Sequence, residues 1–362
     1  MRVGVDVSAV SFNSAGTARY SVEVLRAVQA ERPESVTVCP LTAAAVRVPE
    51  PGLARKLFVL YWEWIYCPII LPARARRLKL DVLHVTAPMP LPARFGRTRV
   101  IATVHDVLPI AHPEWFPRLM GWRLGRWLRA TASRAHFLLA SSRFTAGELR
   151  ARLGVPAERL SVVPLGHAAP PAELPAPGLA PPYLLAVGTL EPRKNLAVVL
   201  EAYRMLRETR PAAPPLAVAG GRGGGGVTVA ALAGRLGMAQ VVRELGFVPD
   251  AQLFALYAGA EAFIFPSLAE GFGFPPLEAM AAGCPVVASD AASLPEVVGE
   301  AGLLVDPRDP AGIAEALRRV LDEPGLAERL RALGRARAAE FTWSRCARLT
   351  LPAYRQALES AA

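Results

Sequence analysis

Lysine is nearly absent from this chain: Lys56, Lys79 and Lys194 stand against 38 arginines. Its positive charge is therefore mostly guanidinium, which stays ionised and grips carboxylates and phosphates through paired hydrogen bonds. Cysteine is scarce too. Cys39, Cys67, Cys284 and Cys346 lie far apart, with no CxxC pair and no metal-like spacing. That excludes a disulfide framework and a zinc centre, and it suits a reducing cytosol. No D-x-D occurs, so the carboxylate pair that would hold Mg²⁺ or Mn²⁺ is missing and no metal is expected. Long hydrophobic runs are missing as well. The most apolar stretch, "FVLYWEWIYCPIIL" (58–71), is too short to span a bilayer and carries Glu63 and Pro68. Met1 leads straight into "RVGVDVSAV", a strand-like alternation rather than an export signal. The expectation is a soluble cytoplasmic protein.

A chain of 362 residues suits two domains of about 150–180 residues each. Its net charge of +10 is lopsided. Residues 1–170 hold 23 basic and 11 acidic side chains, whereas residues 171–362 hold 18 and 20. A basic first half points to an anionic partner: nucleic acid, an acidic lipid surface or a phosphorylated substrate. A GC-rich genome writing Arg at surface positions would give the same total. No RNA- or DNA-binding motif appears, so nucleic acid is not expected.

Short apolar runs alternate with longer amphipathic stretches from end to end. Strands are predicted at 2–7, 35–39, 81–85, 99–104, 136–140 and 160–163. A second set follows at 183–187, 216–219, 242–247, 262–266, 285–288 and 302–305. Helical stretches fall between them, for example 17–30, 118–135, 195–208, 310–321 and 327–340. Strand–helix alternation with Val-, Leu- and Ile-rich strands signals an α/β fold with parallel sheets covered on both faces. Between the halves, "HAAPPAELPAPGLAPP" (167–182) is dense in Pro and Ala and reads as an extended linker. Two Rossmann-like, doubly wound domains follow, at 1–170 and 183–342, with 171–182 joining them. Residues 343–362 form a helical tail, broken at Pro352, that packs back on the first domain. Such sheets bind ligands at the carboxyl ends of their strands, so two of them predict a cleft.

One stretch carries most of the chemistry. In "AEGFGFPPLEAMAAGCPVV" (269–287), the strand "AFIF" runs into a glycine-broken loop and then a helix opened by paired prolines. Prolines suit a first helical turn, where the missing N–H has no partner to lose. Gly271 and Gly273 let the backbone approach a ligand, and the amides of Gly271, Phe272, Gly273 and Phe274 at a helix N-terminus make an anion site suited to a diphosphate. Glu278, about one turn into the helix, is placed to accept hydrogen bonds from sugar hydroxyls, with Glu270 on the cleft side of the strand end. The plainer readings are a helix-dipole charge for Glu278 and a solvated loop residue for Glu270.

"EGFGFPPLE" resembles the E-x7-E signature of the retaining glycosyltransferases of family 4, which have a GT-B fold of two Rossmann-like domains. "AVGTLEPRKN" (186–195), "TVHDVLPIAHPEWF" (103–116), "ASSRFTAGEL" (140–149) and "SLPEVVGEAGLLVDPRDP" (293–310) stand in family order. The likeness covers essentially the whole chain and is greatest to the bacterial mannosyltransferase-like branch. It implies transfer of a hexose, mannose-type favoured, from a GDP- or UDP-sugar to a glycan, lipid-linked or small-molecule acceptor in polysaccharide biosynthesis, with retention and without metal. It implies a donor-binding second domain and an acceptor-binding first domain. Arg193 and Lys194, which follow Gly188, match the family's phosphate-binding cations, while Thr189 stands where many members have a further Arg. Glu278 then takes the ribose and Glu270 the donor sugar's hydroxyls. His105 is implied as the residue nearest the reacting carbon, and Gly16, in "NSAGTARY", as the loop that closes over the phosphates, with Thr17 and Arg19 behind it.

Read from the residues alone, Arg193 and Lys194 at a helix N-terminus oppose its dipole, a cost that a bound anion would relieve. In the first half, 118–135 places Met120, Leu124, Trp127, Leu128, Thr131 and Ala135 on one face, with Arg118, Arg123, Arg126, Arg129 and Arg134 off it. With 55–70, this gives a basic and aromatic surface suited to anionic lipid headgroups at the inner face of the membrane. The bland alternative is core-facing helices with Arg toward solvent. "GGRGGGG" (220–226) reads as a loop at the cleft rim from which Arg222 reaches the donor, or as a simple turn. Two rival functions stay open: a glycoside hydrolase using Glu270 and Glu278 as an acid/base pair, and a catalytically silent nucleotide-sugar sensor.

Overall fold

The computed structural model describes residues 1–11, 16–43, 52–189, 191–221 and 228–359. Each predicted apolar run forms a strand whose ends shift by no more than about two residues. In the first set these are β1 (Arg2–Asp6), β2 (Thr37–Leu41), β3 (Val82–Val85), β4 (Arg99–Val104), β5 (Phe137–Ala140) and β6 (Leu160–Val162). The second set is β7 (Leu184–Val187), β8 (Leu216–Ala219), β9 (Val242–Gly246), β10 (Ala262–Phe265), β11 (Val286–Ser289) and β12 (Gly302–Val305). All pairings are parallel. Parallel strands need helical crossovers that cover both sheet faces, which is why "VLHV", "FLLA" and "AFIF" are buried along their whole length.

The chain divides into two compact units: residues 1–166 with the segment from Thr342 onward, and His167–Phe341. Both are Rossmann-like. In the first, the strand order is β2-β1-β3-β4-β5-β6, which reverses direction between β1 and β3. In the second it is β9-β8-β7-β10-β11-β12, the dinucleotide-fold order, reversing between β7 and β10. Register aligns those central strands, with Ile264 opposite Ala186 and Asp6 opposite Val85. The loops leaving their carboxyl ends are thus set side by side. Close approach there is built in. A Cβ on Gly220, just after β8, would lie 1.9 Å from the Gly188 carbonyl oxygen.

Two expectations need correction. The helix Trp343–Glu359 is not broken at Pro352 but runs through it. Cys346, Ala347, Thr350, Ala353, Tyr354 and Ala357 make one buried stripe on both sides of the proline, and the helix packs on Gly16–Glu31. An interior proline costs about 3 kcal/mol, which burial of several such side chains offsets. Met120 leaves the expected core face of the Arg118–Arg134 helix and is exposed, while Trp127, Leu128 and Thr131 are buried. Two buried glycines, Gly121 and Gly125, take the core positions near its start.

Candidate active site

In the second unit the loops after β7 and β10 meet at the point where strand order reverses. Arg193 and Lys194 sit in a short 3₁₀ turn, Pro192–Lys194, ahead of the Leu196–Thr209 helix. Glu270 comes from the β10 loop. Its carboxylate accepts from Lys194 Nζ at 2.6 Å and from Arg193 Nη1 at 2.7 Å, while Arg193 Nε reaches Glu191 at 2.9 Å. The side chains of Lys194 and Glu270 are 13% and 12% exposed, so this is a largely desolvated pair. Burial would raise the Glu270 carboxyl, but Lys194 and Arg193 outweigh it and hold the group below the usual carboxylate range. Burial draws Lys194 below the usual amine value against the pull of Glu270. Its aliphatic stem lies along Gly188, and its ammonium sits 4.8 Å from the centre of the Phe265 ring.

This geometry changes the reading of two predicted residues. The anion that relieves the cations at the helix N-terminus is, in this structure, an internal one. Glu270 is no solvated loop residue, and its carboxylate is already bonded to two cations. A carboxyl held ionised in this way is a poor general acid, so a hydrolase would have to place its acid on Glu278 instead.

Gly271, Phe272 and Gly273 lead into the helix Phe274–Ala281, whose first turn carries the paired prolines as expected. Gly273 caps it at φ +131, and a Cβ there would meet Leu294 at 2.8 Å. The Phe272 ring turns inward, packing near Phe274 and Phe341 at 5.6 and 5.9 Å. It offers its backbone, not its side chain. Glu278 is the fifth residue of that helix, about one turn in as expected, and is buried at 4% exposure.

Sequence reasoning missed the groups that brace these loops. Ser293 Oγ lies 2.8 Å from the Glu270 carbonyl and 2.6 Å from the Phe272 carbonyl. Asn195, in the left-handed conformation at φ +60, donates its amide to the carbonyls of Pro266, at 3.1 Å, and Pro307, at 2.5 Å. The Leu268 amide bonds the Arg193 carbonyl at 2.8 Å, tying the cation turn to the β10 loop. An Asn directly before a helix, in "RKN", is the one sequence signal for this brace.

The first unit holds His105 and Gly16. Gly16 opens the helix Gly16–Glu31, and Tyr20 of that helix packs edge-on against the His105 ring, centroids 4.7 Å apart. His105 Nε2 is 3.1 Å from the Thr86 carbonyl. A carbonyl only accepts, so Nε2 carries the proton and Nδ1 is the acceptor. Burial lowers the ring to about 4, leaving it neutral at neutral pH. Asp106 accepts from the Leu108 amide at 3.0 Å and so shapes the loop after β4. Behind them runs a buried polar chain: Tyr354 Oη to His84 Nδ1, 2.9 Å; His84 Nε2 to Thr103, 2.8 Å; Thr103 to Tyr20, 2.7 Å. At the end of β1, where this sheet reverses, Asp6 accepts from Tyr66 at 2.7 Å and from the Ser8 hydroxyl at 3.1 Å. Burial raises it to about 6 despite those bonds. Both groups had a signal, a polar residue inside "VLHV" and at the end of "RVGVD". Arg222 lies outside the described residues.

The family described as Glycosyltransferase Family 4 matches residues 4–169, and Glycosyl transferases group 1 matches 175–337. O-antigen chain mannosyltransferase B of Escherichia coli is 36% identical over 268 residues, 71% of this chain and 70% of that protein. MMP alpha-(1->4)-mannosyltransferase of Mycolicibacterium hassiacum is 33% identical over 276 residues, 72% of this chain and 66% of that protein. The structure of Anabaena Alr3699/HepE in complex with UDP-glucose aligns at a TM-score of 0.67 and 17% identity, covering 97% of this chain and 99% of that one.

Proposed function

This chain is a glycosyltransferase of family 4, mannosyltransferase-like, and from that premise we propose that it moves a mannose-type hexose from a nucleotide-diphosphate sugar to a glycan or lipid-linked acceptor, with retention and without a metal ion. The observation that carries this reading is the Arg193–Lys194–Glu270 cluster at the carboxyl ends of β7 and β10. Departure of a nucleoside diphosphate leaves negative charge that must be met. Arg193 has five N–H donors and Lys194 three, more than Glu270 uses, so a diphosphate can share them. In a desolvated setting, fixed cations of this kind stabilise a leaving phosphate strongly. The backbone at 271–274 adds amides beside it.

Glu270 has two duties in this scheme. It orients both cations before the donor arrives and then offers its outer lone pairs to the sugar's hydroxyls. Glu278 takes the ribose. His105, neutral and with Nδ1 as acceptor, is a hydrogen-bond partner for the hexose, not a proton donor. Because Glu270 is committed to its cations, attack from the front face fits better than a covalent glycosyl intermediate. Support for the sugar comes from the names of the two mannosyltransferases, and for a nucleotide-sugar donor from the UDP-glucose of HepE.

The test is incubation with GDP-mannose and, separately, UDP-glucose, in EDTA, with and without a short mannan acceptor. Expected is acceptor-dependent release of nucleoside diphosphate and an axial product linkage by NMR. Release of free sugar at the same rate without acceptor, or loss of transfer in EDTA, would overturn the proposal.

A further inference from the structure

In the first unit, the helix Leu53–Tyr61, "LARKLFVLY", buries none of its nine residues, although seven are apolar. A surface helix of a folded domain normally buries an apolar stripe. Its continuation, the π-helical segment Trp62–Ile70, splits its side chains: Trp62, Glu63, Tyr66 and Cys67 turn inward, and Trp64, Ile65 and Ile69 turn out. The start of the Arg118–Arg134 helix does the same, with Leu119 at 71% exposure and Trp122 at 63%.

These two exposed faces are one surface. The Arg126 guanidinium lies 5.4 Å from the centre of the Trp122 ring and 6.0 Å from that of Trp64, bridging the helices. It is held from beneath. The buried Glu63 carboxylate accepts from Arg126 at 2.9 Å and from the Trp127 indole at 3.1 Å, with Arg123 at 3.2 Å. A platform of two tryptophans around a fixed cation is therefore built into the fold.

We propose that this face docks on an anionic lipid surface. Charge decides among the possible occupants. In residues 53–77 and 117–134 the sole carboxylate is Glu63, which is buried and already bonded, whereas the same two segments also carry Arg55, Lys56, Arg118 and Arg129. A second copy of the chain meeting the same face would set these cations against one another with no exposed carboxylate in either segment to answer them. Lipid phosphates complement the arginines. Indole rings and aliphatic side chains suit the boundary between headgroups and acyl chains. Among the described residues no helix is long and apolar enough to cross a membrane, so contact is with one leaflet. The proposal is independent of the sugar chemistry.

The test is flotation of the full chain with vesicles of phosphatidylcholine alone, and with about a third phosphatidylglycerol. Binding to the anionic vesicles should be at least about tenfold stronger and should weaken in high salt. Trp64→Ala with Trp122→Ala should reduce it about tenfold or more, while Trp64→Phe with Trp122→Phe retains most of it. Leu57→Ser with Leu119→Ser, both highly exposed, gives a second variant whose folding is checked by circular dichroism. Equal binding by wild type and both variants overturns the proposal, as does absence of binding to anionic vesicles. A dimer dissociated by the same substitutions would overturn it too, and would assign the face to self-association.

Discussion

Lys194 Nζ lies 2.6 Å from the Glu270 carboxylate across 76 residues of chain, and neither group has more than a small window to water. Removing one member of such a pair strands the charge of the other, at a cost of about 3–5 kcal/mol. Glu270→Gln should therefore lower urea stability substantially in the free protein. It should also gain more in Tm from a nucleoside diphosphate than the wild type does, because the ligand then restores the missing negative charge. Equal ligand-induced shifts in the two proteins would refute the idea that carboxylate and diphosphate share these cations.

Arg193→Ala and Lys194→Ala should each lower kcat for sugar transfer by about 10²–10³-fold. Steady-state rates at saturating donor check this. A change confined to KM would mean that the cations hold the donor without stabilising its departure.

Ser293→Ala removes the hydroxyl between the Glu270 and Phe272 carbonyls, a loss of about 1–3 kcal/mol in a buried setting. The loop it braces should loosen, raising KM for the donor while the global fold persists. Hydrogen exchange at 270–273 is the direct readout.

Acid should destabilise the first unit through its histidines. Burial holds His84 near 3 and His105 near 4, against the ordinary 6.5. Below about 6.5 the unfolded chain takes up protons that the folded chain refuses, so this stability is present above that pH and lost as pH falls. The slope approaches about 1.4 kcal/mol per pH unit for a deeply buried ring such as His84, and less for His105, which is only half-buried. Asp6 opposes it. Its folded value of about 6, raised from 3.8 by burial, makes stability fall as pH rises between those limits. Two histidines outweigh one aspartate. His84→Gln, which can still bond Tyr354 and Thr103, should flatten the loss between pH 6.5 and 4 in urea titrations; an unchanged profile would rule out His84 as its source.

The strands were legible because a buried parallel strand needs a short, wholly apolar run, and "AFIF", "LLAV" and "LAVA" are such runs. The positions of Arg193, Lys194 and Glu270 were legible through the motif, but their mutual bonding was not. It depends on β7 and β10 being neighbours, a fact of topology that no local pattern encodes. Pro352 misled for a related reason. Local propensity ends a helix there, and only the buried stripe on both sides, known once the helix is packed, overrides it. Glu63 looked like an interruption in an apolar stretch because its partners, Arg123, Arg126 and Trp127, lie some sixty residues further on.

The helix Trp343–Glu359 supplies the Tyr354 hydroxyl to His84 and the packing partner of Gly16–Glu31, yet the whole of the second unit is encoded before it. The second unit is thus an insertion in the first, closed by a helix that follows it in the chain. A chain cut after residue 341 would hold the whole of the second unit and a first unit with the Tyr354-facing side of β3 and β4 uncovered.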